Sequence, residues 1–137
     1  MKVGKYLALP AVLSVLLSVS TQADNSVDAL LETYRSQGAG ESDARAGAAL
    51  WERSIAHTKS PHTRSCASCH TDDPRRAGRH LRTKKFIDPL APSANPKSLG
   101  DAAKIRKWLK RNCHWTLGRE CTAQEKGDLL TFLKNLG

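Results

Sequence analysis

The chain has 137 residues and a formal net charge of +9. This length corresponds to one small domain rather than several. A domain of this size buries a limited core, so a cofactor or a crosslink would stabilise it considerably. The basic excess favours acidic partners or nucleic acid.

Residues 1–23 have the pattern of a secretory signal peptide. Two lysines precede an almost uninterrupted apolar run over residues 7–19, and small residues ending at Ala23 suit a signal peptidase. The run is shorter than the ~20 residues of a membrane span, so an uncleaved anchor is the less favoured alternative. Cleavage would leave residues 24–137 as one exported domain, whose net charge falls from +9 to +7 because two lysines and no acid leave.

Export to the periplasm constrains both partners and cysteines. It makes nucleic acid an unexpected partner, and no later segment of the sequence is apolar enough to cross a bilayer. In an oxidising compartment free thiols are soon paired or otherwise used. Each of the four cysteines should therefore have a partner.

Helical periodicity predicts about four helices and no convincing strand. The first is marked by the apolar face of Val27, Leu30, Leu31 and Tyr34. Ser42 or Asp43 caps a second helix that runs to about Ile55, and Asp101 caps a third over residues 101–112. The capping box Thr122–Glu125 begins a fourth. Residues 58–96 show no sustained period and contain five prolines. Such a long irregular segment counts against a compact domain unless the chain wraps around a bound group. The predicted fold is therefore all-α and rich in loops.

Residues 66–70, CASCH, form a C-x-x-C-H sequence, the attachment signature of c-type haem. Two thiols three positions apart can each form a thioether to one vinyl group of the same haem. The next residue, His70, is then held beneath the iron as an axial ligand. The sequence thus predicts one covalently bound haem c on Cys66, Cys69 and His70.

Two other interpretations of these cysteines exist. A thioredoxin-like C-x-x-C pair requires a βαβ setting, which the pattern does not predict. A zinc site completed by Cys113 and Cys121 would leave His70 unused. In an exported protein the default for Cys113 and Cys121 is a disulfide, which stabilises by roughly 2–3 kcal/mol on the chain-entropy model.

An electron-carrying haem iron usually has a second axial ligand, often methionine. The one methionine of this chain is Met1, which leaves with the predicted leader, so the mature protein cannot be a His/Met cytochrome. The candidates for the far side of the iron are Asn112, a lysine, and the other histidines, His57, His62, His80 and His114.

Helical phase separates two of these candidates. At about 100° per residue, Asn112 lies within about 20° of Ile105, in the middle of the apolar stripe of the third helix, whereas His114 lies on the opposite side. An amide buried there without a partner costs on the order of 1–3 kcal/mol. Asn112 could therefore bind the iron, or it could cap the helix end, as asparagine often does.

The stretches CASCH, RRAGR, IDPLAPSANP, KWLKRNC, GREC and EKGDLL together resemble the sphaeroides haem protein family of monohaem cytochromes c. The resemblance implies a class-I-like cytochrome c fold, a Cys113–Cys121 disulfide and an unusual axial pair, His70 and Asn112. It implies that the asparagine leaves the iron on reduction, so that ferrous haem binds a diatomic ligand such as oxygen or nitric oxide. The implied redox partners are dihaem cytochrome c and membrane cytochrome b.

A basic stretch follows the attachment motif, with the residues Arg75, Arg76, Arg79, His80, Arg82, Lys84 and Lys85. It is either a solvated loop or a docking surface for an acidic electron-transfer partner near the haem edge.

The sequence as a whole favours a periplasmic cytochrome that transfers electrons and binds a diatomic ligand. The alternatives are a haem enzyme that reduces oxygen or a nitrogen oxide, and a plain carrier with two stable axial ligands. Because no acid–base constellation supports catalysis, a carrier is favoured over an enzyme.

Overall fold

The computed structural model describes residues 22–57 and 60–137. Within them the chain forms five helices: α1 Gln22–Ser36, α2 Ala44–Glu52, α3 Ala67–His70, α4 Ala102–Leu117 and α5 Ala123–Lys134. The predicted leader lies outside the described residues, except that Gln22 and Ala23 begin α1. None of the described helices is long and apolar enough to cross a membrane.

Short strands occur where the sequence indicated none. β1 (Ile55–His57) pairs with β2 (Ser60–Arg64), and β3 (Gly78–Arg79) pairs with β4 (Phe86–Ile87), both antiparallel. β1, β3 and β4 have two or three residues, too few for an alternating hydrophobic pattern, and β2, SPHTR, is polar and contains a proline, which is why the prediction of no strand was wrong. The fold class is all-α, as predicted.

Side-chain caps set the starts of the long helices, as the sequence indicated. The Asp43 carboxylate accepts from the Arg45 amide at the start of α2, and Asp101 accepts from the Lys104 amide at the start of α4. Thr122 and Glu125 form a reciprocal capping box at the start of α5. Each cap satisfies backbone N–H groups that the first turn leaves without a helical partner.

The predicted end of the third helix is wrong. α4 continues to Leu117 and ends at Gly118, which has a left-handed φ of 73° and donates its N–H to the His114 carbonyl. Glycine adopts that conformation without a Cβ penalty. Since the helix runs about one and a half turns beyond Asn112, Asn112 does not cap its end.

Helix α5 packs against both α1 and α2. The α2–α5 crossing is close at Gly47, where a Cβ atom would come within 2.1 Å of the Asp128 carbonyl oxygen. One cluster of buried residues joins α1, α4 and α5, and a second joins α2 and α5 to the end of α4. Both α4 and the attachment motif, which packs on the second cluster through Cys66 and Ala67, line one cavity.

Candidate haem site

A cavity of about 670 Å³ separates residues 66–70 from α4. Most of its apolar lining comes from residues 87–99 and from α4 and α5, and includes Ile87, Pro89, Leu90, Leu99, Ile105, Trp108, Leu109, Leu129, Leu130 and Leu133. Cofactor sites commonly have volumes of roughly 300–1,000 Å³ and mostly apolar walls. The cavity is therefore suited to one large, mostly apolar group.

The attachment motif forms a single helical turn at one wall of this cavity. Ser65 and Ser68 fix its start reciprocally, because each amide donates to the other residue's hydroxyl, at 3.0 and 3.1 Å. The His70 amide donates to the Cys66 carbonyl oxygen at 3.1 Å. These bonds bring Cys66, Cys69 and His70 together on the cavity wall.

Both cysteines of the motif are free thiols and half-buried. Burial is the main cause that raises the pKa of Cys66 to about 11, and the neighbouring Cys69 adds to it. A thioredoxin-like dithiol needs a lowered pKa at its attacking cysteine, so the environment of Cys66 does not favour that chemistry. Cys113 and Cys121 are bonded to each other, so they do not complete a zinc site with this pair.

His70 is half-buried where it lines the cavity. Burial lowers its pKa to about 4, so the ring is neutral at physiological pH and has a lone pair for a metal. Its Nδ1 atom is buried and has no hydrogen-bond partner among the described residues. The Trp51 ring lies beside it, with 5.5 Å between the ring centroids.

Asn112 lines the same cavity from α4, together with Ile105, Trp108 and Leu109, as the helical phase predicted. We call this face of α4 the distal wall. The Asn112 side chain is half-buried, and no hydrogen bond ties it to another of the described residues. His114 is exposed and does not line the cavity.

The distal wall is fixed beyond Asn112 by three contacts. Cys113 is joined to Cys121, with 5.5 Å between their Cα atoms. Arg64 donates to the Trp115 carbonyl oxygen at 3.2 Å, and its guanidinium lies 4.6 Å from the centroid of the Trp115 ring. The helix end is therefore attached to the connection that precedes α5 and to β2.

The remaining candidate ligands lie in different places. His62 is exposed, and the side chain of His57 lies outside the described part of the structure. His80 lines the cavity, and its Nδ1 accepts from the amides of Arg82 and Thr83 at 3.2 and 3.1 Å. Lys97 and Lys104 also line the cavity, so each is a candidate for contact with the acidic groups of a bound cofactor.

Sequence reasoning missed several residues of the site. Trp51, Trp115 and Thr116 line the cavity, and the sequence pattern indicates none of them as a site residue; Trp115 and Thr116 lie beyond the predicted end of the third helix. Gly118 is the signal that could have extended the helix to them, because glycine commonly follows a helix C-terminus.

The residues present fit haem c. Two free thiols, a neutral histidine and the Asn112 amide line one mostly apolar cavity. When the ring proton of His70 is on Nδ1, Nε2 carries the lone pair that can bind iron. Cys66 and Cys69 would hold the haem covalently, and His70 would bind its iron.

Comparison with known proteins agrees with this chemistry. Residues 37–133 match the family model of DUF1924, a domain of unknown function. The chain is 42% identical over 129 residues to the cytochrome c-type protein SHP of Cereibacter sphaeroides, which covers 94% of this chain and 96% of that protein. It is also 37% identical over 76 residues to cytochrome c'' of Methylophilus methylotrophus, covering 56% of this chain and 53% of that protein.

Solved structures of both proteins have this fold. Oxidised SHP, described as an oxygen-binding cytochrome c, superposes with a TM-score of 0.70 at 41% identity, over 78% of this chain and 94% of that one. Oxidised cytochrome c'' of Methylophilus methylotrophus superposes with a TM-score of 0.70 at 26% identity, over 80% and 94%. The chain therefore has a cytochrome c fold and binds haem c, and it belongs to the sphaeroides haem protein family of monohaem c-type cytochromes.

Proposed function

We propose that this cytochrome transfers electrons in the periplasm and binds a diatomic ligand, oxygen or nitric oxide, when Asn112 leaves the iron on reduction. The observation that carries the proposal is that Asn112 of α4 lines the same cavity as Cys66, Cys69 and His70 of the attachment motif. The relative SHP is described as an oxygen-binding cytochrome c. Haem supplies the one-electron chemistry and the coordination position at which a diatomic ligand binds.

His70 and Asn112 are the proposed axial pair. The neutral, buried imidazole of His70 is a good ligand in both oxidation states. A neutral amide is a weak ligand and gains little from ferrous iron, so one-electron reduction favours its release.

Replacing Asn112 tests this assignment. Asn112→Ala should open the ferric site to water or added azide, with haem still attached, because the alanine lacks a ligand atom. His114→Ala is the control and should leave the ferric spectrum unchanged, since His114 is exposed and off the cavity. If only His114→Ala opens the ferric site, His114 is the ligand and the proposal is wrong.

Carbon monoxide separates the proposed function from its alternatives. Addition of carbon monoxide to the reduced protein should shift the Soret band, because the position vacated by Asn112 is free. A ferrous spectrum that stays low-spin and ignores the gas would identify a plain carrier. Sustained turnover of oxygen or a nitrogen oxide would identify an enzyme.

Export accounts for the cysteine usage in this proposal. Residues 1–23 would be removed as a signal peptide, and residues 24–137 would form the mature cytochrome domain in an oxidising compartment. There the Cys113–Cys121 bond would persist, while Cys66 and Cys69 carry the haem. N-terminal sequencing of the mature protein would identify the cleavage site.

The proposed redox partner is an acidic protein, by family resemblance a dihaem cytochrome c, with a membrane cytochrome b as a further partner. We call residues 78–87 the basic hairpin. Its exposed cations are Arg79, Arg82, Lys84 and Lys85. Phe86 is 75% exposed on the same hairpin, and an open hollow of about 300 Å³ lies between the hairpin and Cys69. An acidic partner bound here would lie beside a haem-attachment residue.

Salt and charge reversal test the docking surface. Reduction by a purified dihaem cytochrome c should slow steeply as salt rises, because screening limits the range of attraction between exposed charges to about 8 Å at physiological ionic strength. Arg82→Glu with Lys85→Glu should slow it further, whereas Arg45→Glu with Lys107→Glu, at exposed positions of α2 and α4, is the charge-matched control. A rate that depends neither on salt nor on the hairpin charges would reject docking through this hairpin.

A further inference from the structure

The residue after the proposed axial histidine has an unusual backbone conformation. Thr71 has φ 67° and ψ 166°, a region that is essentially restricted to glycine. Threonine is β-branched, so a positive φ is a genuine outlier for it. Such a conformation persists only where surrounding contacts over-determine it.

Two hydrogen bonds hold Thr71 in this conformation. The indole N–H of Trp51 donates to the Thr71 carbonyl oxygen at 2.8 Å. The Thr71 hydroxyl donates to the Asp73 carbonyl oxygen at 2.7 Å. Trp51 belongs to α2 and is only 3% exposed, so the first bond ties the attachment motif to the buried core.

The same tryptophan contacts the imidazole of His70. The two rings are tilted by 44°, with 5.5 Å between their centroids. A metal-binding histidine usually donates its second ring N–H to a protein group, which fixes the ring orientation. Here the buried Nδ1 of His70 has no such partner among the described residues, so another contact must orient the ring.

We propose that Trp51 is the positioning residue for the axial imidazole and replaces the usual hydrogen bond to Nδ1. Its N–H bond holds Thr71 at positive φ, and its ring packs against the imidazole from the side. Loss of the N–H would let Thr71 return to negative φ and would rotate the peptide that follows His70. This inference rests on the proposed function, in which His70 binds the iron.

A double-mutant cycle on the haem-loaded protein tests it. Trp51→Phe keeps an aromatic ring but removes the N–H, so it should shift the ferric g values and the reduction potential. In the Thr71→Gly variant, residue 71 keeps a positive φ without the hydrogen bond from Trp51, because glycine adopts that conformation freely. Trp51→Phe should therefore produce a smaller shift in the Thr71→Gly background. Equal shifts in both backgrounds, or no shift in either, would overturn the proposal.

Phe132→Leu is the packing control. Phe132 is the other aromatic neighbour of Trp51, with 5.9 Å between the ring centroids, and it donates no hydrogen bond to Thr71. This variant should lower the melting temperature and leave the g values and the potential unchanged. A shift as large as that of Trp51→Phe would mean that Trp51 acts through packing alone, against the proposal.

The unaltered protein gives a test that needs no variant to fold. The Trp51 indole proton should exchange slowly with deuterated water, as expected for a buried N–H bonded to a carbonyl oxygen, and fast exchange would overturn the proposal.

His70→Ala separates the axial role of His70 from the positioning role of Trp51. If it leaves the ferric spectrum unchanged, the proposed axial role of His70 fails; if it changes the spectrum while Trp51→Phe does not, only the role of Trp51 fails.

Discussion

The two walls of the haem cavity are built in opposite ways. The distal wall is one face of α4, a helix of 16 residues with a side-chain cap at its start and a left-handed glycine at its end. The proximal wall, residues 66–71, contains a helix of four residues, α3, followed by Thr71 at positive φ. A helix of one turn is not stable alone, so contacts from distant residues must hold the proximal wall.

Those contacts come from two separate segments. Trp51 of α2 donates to the Thr71 carbonyl oxygen, and Gly78 of β3 lies against the backbone of Cys69 and His70. The distal wall, by contrast, carries its main determinants within its own sequence. Substitutions far from residues 66–71 should therefore disturb the proximal wall more than substitutions near α4 disturb the distal wall.

Gly78→Ala should have the largest effect. An added Cβ would lie 2.1 Å from the Cys69 carbonyl oxygen and 2.9 Å from the His70 Cα atom, and all these atoms belong to backbone that cannot move cheaply. We expect a loss of about 3 kcal/mol or more in the free energy of unfolding, together with a reduced yield of covalently attached haem. Urea unfolding and the haem content of purified protein would measure both effects.

Gly118→Ala is the matched control on the distal side. Gly118 has φ 73°, and an added Cβ there meets nothing within 4 Å, so only conformational strain of about 1 kcal/mol is expected. Haem attachment should be unchanged. If Gly118→Ala lowers the haem yield as much as Gly78→Ala does, the proximal wall is not the more sensitive one.

Removing the Cys113–Cys121 bond should have an intermediate effect. The two cysteines are eight positions apart, and a loop of that length corresponds to about 2–3 kcal/mol of unfolding free energy. Cys113→Ser with Cys121→Ser should therefore lower the urea midpoint. The ferric spectrum should be unchanged, because the hydrogen bond from Arg64 to the Trp115 carbonyl oxygen and the Gly118 cap still hold the end of α4. An open ferric site in this variant would show that the disulfide, rather than the helix, holds Asn112.

The same contrast between walls explains what the sequence could predict. The Asp101 cap and the phase of Asn112 are local properties of one helix, and the structure agrees with both. The C-x-x-C-H spacing is local too. The prediction from the apolar stripe ends at Asn112, whereas α4 continues to Leu117, and Gly118 is the local signal that marks this end.

The proximal wall could not be predicted beyond its motif. The bond from Trp51 to Thr71 joins residues 20 positions apart, and neither residue type nor periodicity indicates it. Gly78 packs on the Cys69 carbonyl only once β3 has folded back onto α3. Thr71 gives no local signal of positive φ, because threonine is among the residues that least favour it.

The smallest expected effect concerns the ion pair below the distal wall. Arg119 donates to both Glu125 carboxylate oxygens, at 2.7 and 2.8 Å, and this bidentate hydrogen bond is the main cause that lowers the pKa of Glu125 to about 2. A shift from 4.5 to about 2 would correspond to about 3 kcal/mol. The Arg119 side chain is 50% exposed, however, so solvent screening should reduce the effect to about 1 kcal/mol.

Glu125→Gln should therefore destabilise the protein by about 1 kcal/mol at pH 7, because glutamine can keep the capping box but not the charge. A carboxyl whose folded pKa is lowered contributes stability above its unfolded pKa and loses it as the pH falls through the folded pKa. The difference in unfolding free energy between wild type and variant should thus be constant above about pH 5 and shrink between pH 4.5 and 2. Urea unfolding of the haem-loaded proteins from pH 7 to 3 would measure it.

Glu120→Gln, at an exposed carboxylate 3.5 Å from the Lys110 ammonium, is the control and should lower the free energy of unfolding less at pH 7. A difference for Glu125→Gln that stays the same from pH 7 to 3 would mean that its cost comes from capping geometry and not from charge.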